Sequence, residues 1–222
     1  MTQNDKGSIN YRDEVVRKLI HLCSLSIPIV YYFVSRTTAI ITLSCITFVA
    51  LVIDISRYFS PLAGKVFYSI FGFLLREHEL DTRKKNLNGA TYVLISAVLC
   101  VVIFPKILFI TAFSILIISD SLAALIGRKY GKHKFLSKSL EGTLAFFVSA
   151  IIVVLFTPKV DGLFAEYLIG IVAAAIGAIV ENISFGFADD NLSIPISIGL
   201  TMWCLYILFL PDLNLVLAGV PN

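Results

Sequence analysis

Long apolar runs constrain this chain more than any other feature. They occupy 19–35, 38–55, 88–104, 107–126, 142–157, 163–180 and 193–211, and each approaches the ~20 residues that a helix needs to cross ~30 Å of hydrocarbon. Peptide groups in hydrocarbon must bond within their own segment, so each run is predicted to be a helix. The 222 residues are 58% hydrophobic and 15% charged, with a mean hydropathy of +0.89. An ordinary soluble domain is about a quarter charged, which excludes a water-soluble monomer. Seven spans leave no room for a separate soluble domain. The expected architecture is all-α: a polytopic transmembrane helix bundle forming a single integral membrane domain over 1–222, led by a polar segment at 1–17. The stretch 61–75 starts at Pro61, carries Gly64 and Lys65, and ends before Arg76. It reads as one helix lying at the interface, with an eighth span as the weaker alternative.

Basic residues orient the bundle. Lys6, Arg12, Arg17 and Lys18 precede the first run. Arg57, Lys65, Arg76, Arg83, Lys84 and Lys85 lie between the second and third, and Arg128, Lys129, Lys132, Lys134 and Lys138 between the fourth and fifth. Of the 18 basic residues, only Arg36, Lys106 and Lys159 fall on the other side. Positive-inside bias then makes the N-terminus cytoplasmic and, with seven spans, the C-terminus external. A spanning 61–75 would destroy that alternation. The net charge of +3 follows from topology and calls for no nucleic-acid partner.

Several features read as structural. The first run lacks a small-residue cleavage site and is not expected to be a removable signal peptide. Cys23, Cys45, Cys100 and Cys204 lie inside runs without close pairing in sequence, which argues against a disulfide or a structural metal. The sequons at Asn182 and Asn191 fall on the cytoplasmic side, where they would go unused. Gly170, Ala174, Gly177 and Ala178 form a small-residue stripe suited to close helix packing. Tyr31, Phe113 and Trp203 read as packing or lipid contacts. His78 and His133 belong to loops without zinc spacing.

Polar residues concentrate at one depth. His21, Asp54, Asn88, Thr91, Asp120, Glu141 and Glu181 all fall toward the cytoplasmic ends of their runs, whereas the outer half has little beyond Glu166. A carboxylate in hydrocarbon costs roughly 2.5–3.5 kcal/mol on the lenient scale, so it faces a cavity or a partner. Asp120 is the sharpest case, between Ile115-Leu116-Ile117-Ile118 and Leu122-Ala123-Ala124-Leu125. It either serves a cation or phosphate site open to the cytoplasm, or pairs with a neighbouring basic residue for packing. Arg17, Lys18 and His21 share one helical face, equally suited to chemistry and to lipid phosphates.

The segment after Asp120 contains the parts of a phosphate–metal site. Gly127 is expected to end the helix with a positive φ, and Gly131 to turn the loop back. Arg128, Lys132, Lys134 and Lys138 supply positive charge, and Ser139 is an expected N-cap whose neighbouring free N–H groups favour an anion. Glu141 follows in the first helical turn. A second cluster, Ala188-Asp189-Asp190-Asn191, has no lysine or arginine although it lies on the basic side. Adjacent aspartates suit a hard divalent cation such as Mg²⁺, which takes oxygen ligands and bridges phosphates. A polar turn before the last span is the competing reading.

Together these residues resemble the polyprenol kinase group: dolichol kinase, phytol kinase and the CTP-dependent diacylglycerol kinases, themselves distantly similar to phosphatidate cytidylyltransferase. The resemblance rests on Arg17-Lys18 with His21, on Asn88-Gly89-Ala90-Thr91-Tyr92, and on segment 120–131. Lys138-Ser139-Leu140-Glu141-Gly142, and Glu181 with Asp189-Asp190-Asn191 before Pro195, complete it. It spans 17–195, with 120–142 its most specific part. It implies phosphoryl transfer from CTP to the hydroxyl of a membrane isoprenoid alcohol or diacylglycerol. The later His-Gly-Gly element of the cytidylyltransferases is missing, which favours the kinase branch, and no Walker-type glycine loop is present.

The expected site therefore has Asp120, Lys138 and Glu141 as catalytic groups. Gly127, Arg128, Gly131, Lys132, Lys134 and Ser139 would hold the nucleotide, and Asp120, Asp189, Asp190 and Asn191 the Mg²⁺. Asp120 is also a candidate acceptor for the hydroxyl proton. The partners would be a lipid alcohol, a nucleoside triphosphate and surrounding lipids, at the cytoplasmic face of a bacterial plasma membrane or endoplasmic reticulum. Two other readings stay open. One is a cytidylyltransferase releasing pyrophosphate. The other is an ion-coupled transporter using Asp120 and Glu181, although polar residues on both sides of the midplane and an inverted repeat are missing.

Overall fold

A computed structural model describes residues 11–72, 75, 86–184 and 189–222. Lys6, Arg76, His78, Arg83, Lys84, Lys85 and Ala188 lie outside the described residues. Among the described residues, five helical segments are long and apolar enough to cross a membrane: Tyr11–Phe33, Arg36–Phe59, Lys106–Tyr130, Phe164–Ile183 and Asp190–Phe209. Two shorter apolar helices, Gly89–Ile103 and Leu140–Phe156, bring the set to the seven expected runs. The protein is an all-α membrane bundle.

The first span is interrupted. It consists of α1 (Tyr11–Cys23) and α2 (Ser26–Phe33), joined by tight turns in which Ser24 N–H donates to His21 O and Ile27 N–H to Ser24 O. Pro28 explains the break, because it has no N–H for the carbonyl four residues earlier, at Ser24, and its ring crowds that position. Next come α3 (Arg36–Phe59) and α4 (Pro61–Phe71), which folds back onto α3. Ser60 caps α4 and proline opens it. At 11 residues, α4 is only ~16 Å long, too short to cross the hydrocarbon.

Then follow α5 (Gly89–Ile103), α6 (Lys106–Tyr130), a short antiparallel hairpin, α7 (Leu140–Phe156), α8 (Phe164–Ile183) and α9 (Asp190–Phe209). In the hairpin, β1 (Lys134–Phe135) pairs with β2 (Lys138–Ser139), Lys134 opposite Ser139. The helix α9 starts before the expected 193, so Pro195 lies inside it.

The bundle is organised around α6. Nearly every residue from Lys106 to Ala123 is buried, and α1, α2, α5, α7 and α9 all pack on it. A helix apolar on all sides belongs at a core; Tyr31, Phe109 and Phe113 form its aromatic stack. The outward faces of α3, α7 and α8 instead carry exposed Ile, Val, Leu and Phe, as lipid contact requires. The small-residue stripe of α8 lies against its neighbours. A methyl group added at Gly170 would meet Val154 Cγ1 at 2.6 Å, and one at Gly177 would meet Ile198 Cδ1 at 2.6 Å.

The end carrying Arg36, Lys106 and Lys159 has a consistent logic. Each of the three cations binds a carbonyl where a helix finishes: Arg36 Nε to Val101 O at 3.1 Å, Lys159 Nζ to Val154 O at 2.6 Å, and Lys106 Nζ to Val34 O at 2.8 Å, Lys106 also reaching Pro221 O in the C-terminal tail. Helix C-termini leave carbonyls unpaired and partly negative, so a cation there needs no further role. Glu166 is buried at the same end, accepting N–H groups from Val160, Asp161 and Leu163 and the hydroxyl of Tyr206.

Candidate active site

At the opposite end the polar residues converge. Asp120 is buried in α6, and Lys18 of α1 donates its ammonium to Asp120 Oδ2. His21, one turn further along α1, places Nε2 3.9 Å from the same oxygen. Glu14, one turn earlier, binds Arg17 at 2.5 Å and Arg128 of α6 at 3.2 Å. The sequence 14, 18, 21 thus forms one polar stripe docked onto α6. Of the two readings of Asp120, pairing with a basic residue is realised, and the partner comes from the far end of the chain.

The hairpin brings in a second pair. Lys138 Nζ donates to Glu181 Oε1 of α8 at 2.5 Å. Asn182, beside Glu181, accepts the N–H groups of Ser137 and Lys138 at 2.8 and 3.0 Å and donates to Thr143 at 2.6 Å. These bonds fix the hairpin against α8 and aim Lys138 inward. Asp190, in the first turn of α9, lies close enough to act electrostatically on His21 and on Glu181, and Lys138 acts likewise on Asp120. One end of the bundle therefore gathers Lys18, His21, Asp120, Lys138, Glu181 and Asp190 from α1, α6, the hairpin, α8 and α9.

Other expected site residues sit elsewhere. Asp189 caps α9, accepting from Asn191 N–H at 2.9 Å and from Asn191 Nδ2 at 2.8 Å. Glu141 turns toward the hairpin, meeting His133 Nδ1 at 2.8 Å and accepting its N–H. It lies ahead of the apolar run of α7. N–H groups at the start of α7, its own first, then the His133 ring and the N–H groups of Lys132 and His133 lower its pKa to about 2. Ser139 caps α7 as expected, its hydroxyl accepting from Gly142 N–H at 3.2 Å. Arg128 is engaged with Glu14, whereas Lys132 and Lys134 are exposed on the hairpin.

The expectation for Gly127 is corrected. It does not end α6 with a positive φ; the helix runs on to Tyr130, and the capping residue Gly131 has φ −60°. Close packing explains both glycines. A methyl group at Gly127 would lie 3.1 Å from Ser139 Oγ and 3.4 Å from Gly142 Cα, and one at Gly131 would overlap Gly127 O. Bare Cα atoms let α6, the hairpin and the start of α7 touch.

An amphipathic cavity of about 290 Å³ adjoins the cluster. Its lining combines Arg17, Lys18, His21, Asn88, Thr91, Asp190 and Asn191 with Ile20, Ala50, Ile53, Phe67, Phe71 and Val93. Its far wall is held by a buried ion pair, Arg57 Nε to Asp54 Oδ1 at 3.0 Å. Asp54 also accepts Asn88 N–H at 2.8 Å, and Arg57 lies over the Phe67 ring at 4.7 Å. This pair joins α3, α4 and the start of α5.

Among the described residues, no three His, Cys, Asp or Glu side chains stand close enough to cage a metal ion. Mg²⁺ does not require such a cage, since it keeps waters and takes one or two carboxylates together with phosphate oxygens. Asp120 and Asp190 have the carboxylate chemistry that would meet that smaller demand, and Asp189 caps α9.

Sequence reasoning undervalued Lys18, which it left open between chemistry and lipid phosphates, and it missed Glu14 and Asn182. The i, i+4, i+7 spacing of Glu14, Lys18 and His21 on one helical face was the available signal. Nothing local marks Asn182.

The chain is similar to known proteins over much of its length. The chain is 33% identical over 185 residues to the uncharacterized protein RP860 of Rickettsia prowazekii, covering 83% of this chain and 90% of that protein. It is 31% identical over 186 residues to the uncharacterized protein MJ1137 of Methanocaldococcus jannaschii, covering 82% and 88%. It is also 29% identical over 156 residues to CTP-dependent diacylglycerol kinase 1 of Schizosaccharomyces pombe, covering 64% of this chain and 70% of the yeast protein. No family model matches the chain. No solved structure matches it. The chain belongs to the family that includes RP860 and MJ1137, and it is a distant homologue of a CTP-dependent diacylglycerol kinase.

Proposed function

We propose that the protein transfers the terminal phosphoryl group of CTP to the hydroxyl of a membrane lipid, an isoprenoid alcohol or diacylglycerol, at the cytoplasmic surface. The observation that carries this reading is the convergence of Lys18, Asp120, Lys138 and Asp190 at one end of the bundle, beside a cavity lined by both charged and apolar side chains. A nucleoside triphosphate needs the first environment and a lipid alcohol needs both. The yeast kinase homologue supports the choice of donor.

In this mechanism Lys132 and Lys134 on the hairpin meet the triphosphate first, and Lys138 and Lys18 take its terminal oxygens. Their departure frees Glu181 and Asp120, and Asp120 together with Asp190 would hold Mg²⁺. Bound with the nucleotide, that ion supplies charge neutralisation on the phosphate oxygens. The lipid oxygen attacks the terminal phosphorus, the bond to the bridging oxygen breaks, and CDP leaves. The hydroxyl proton passes to Asp120. Glu141, through His133, holds the hairpin in place and acts as a positioning residue. Most of the acceleration comes from orientation and fixed charge.

The test is purified protein in vesicles with terminally labelled CTP, Mg²⁺ and a panel of lipid alcohols. Labelled lipid monophosphate together with CDP is expected. Labelled pyrophosphate with a CDP-lipid would identify a cytidylyltransferase instead, and no nucleotide turnover with any lipid would refute the proposal.

A further inference from the structure

We infer that the lipid substrate reaches the site sideways from the bilayer, between α1 and the α3–α4 hairpin, with Ala50 on α3 setting the width of the port. This deepens the proposed lipid kinase reading and rests on it. The two walls belong to different packing partners: α1 docks on α6, whereas α3 docks on α5 and α4. The cavity occupies the seam between them, with Ile20 on one lip and Ile53 on the other, each 49% exposed.

Charge distribution fixes the occupant. The large exposed residues of the lining, Ile20, Ile53 and Phe71, are apolar, whereas Lys18 is buried and His21 and Asp190 are half-buried. An amphiphile with a small polar head and an apolar tail matches that arrangement. At about 290 Å³, the cavity is at the small end of ligand clefts. It accepts the hydroxyl and the first carbons of one chain, and the remaining chain stays among the lipids outside.

A second apolar groove serves as an internal control. It lies between α2, α6 and α7, is bounded by Ile29, Ile118, Ile152 and Phe156, and is lined by no charged side chain. A hydroxyl drawn into it would meet only Ser114, Ser149, Tyr32 and Thr157. It lacks the polar end that a phosphoryl acceptor needs.

The experiment uses full-length protein in phosphatidylcholine vesicles and a long-chain alcohol carrying a diazirine a few carbons from the hydroxyl. After irradiation, mass spectrometry should find label on α3 and α4, at Ala50, Ile53 or Phe67, lost when unlabelled alcohol competes. Competed label at Ile29 or Ile152, or no competed label at all, overturns the port. Kinetics give a second readout. Ala50→Phe should raise the KM for the alcohol about tenfold and leave that for CTP unchanged, while Ile152→Phe in the control groove leaves both unchanged. Equal effects of the two variants would count against the port. Labelling does not depend on turnover, so a protein that binds the probe at Ile53 but phosphorylates no lipid keeps the port and loses the kinase assignment.

Discussion

Lys18 donates its ammonium to Asp120 across 102 residues of sequence, and both side chains are 3% exposed. This bond joins the first helix to the central one and places a buried cation where the proposed terminal phosphate arrives. Its energetics are those of a buried pair, in which desolvation offsets much of the attraction and removal of one partner leaves the other uncompensated.

Lys18→Met therefore lowers stability by about 3–5 kcal/mol, while Lys18→Met with Asp120→Asn recovers a large part of that loss. Thermal unfolding of the purified variants in detergent measures both. Additive losses in the double variant would contradict the pairing.

Asp190→Asn and Asp120→Asn each reduce lipid phosphorylation at least ~100-fold, because both carboxylates would hold the metal–nucleotide charge. Product analysis alongside thermal unfolding separates lost chemistry from lost fold.

The hairpin responds to acid through Glu141. Its folded pKa is lowered to about 2, against about 4.3 for an unperturbed glutamate. The contribution of this carboxylate is thus full above about 4.3 and is lost as pH falls toward 2. Amide protection factors in segment 132–140, with the intrinsic pH dependence divided out, should fall over that window. In Glu141→Gln protection should be low at every pH; an unchanged protection profile would exclude the clasp with His133.

Gly170→Leu drives a side chain into Val154 at the contact between α8 and α7, costing about 1–3 kcal/mol as overpacking. The same change at Gly162, where nothing lies within 4 Å but φ is +71°, acts through backbone strain instead. Unfolding midpoints of the two variants, with Gly162→Asn as the milder comparison, distinguish packing from conformation.

The cap at Ser139 and the stripe on α8 were legible because each depends on residues within a turn or two of one another. The interruption of the first span was legible only in hindsight: Pro28 was visible, but a run of apolar residues alone does not say whether its helix is continuous. Gly127 misled for the opposite reason. Glycine near a helix end suits a left-handed cap, and its use here as a bare contact with Gly142 and Ser139 appears only once α6 and α7 are side by side.

By itself, the order of apolar and polar residues determined that this chain builds a membrane bundle with its ionisable groups gathered at one depth. Burial in hydrocarbon is a local, roughly additive property, so it can be read window by window. Only the tertiary structure decided that Asp120 takes Lys18, that Lys138 takes Glu181, and that Asp189 caps its own helix while its neighbour Asp190 joins the cluster. Those choices depend on which helices become neighbours, and packing between segments far apart in sequence leaves no periodic trace in any one of them.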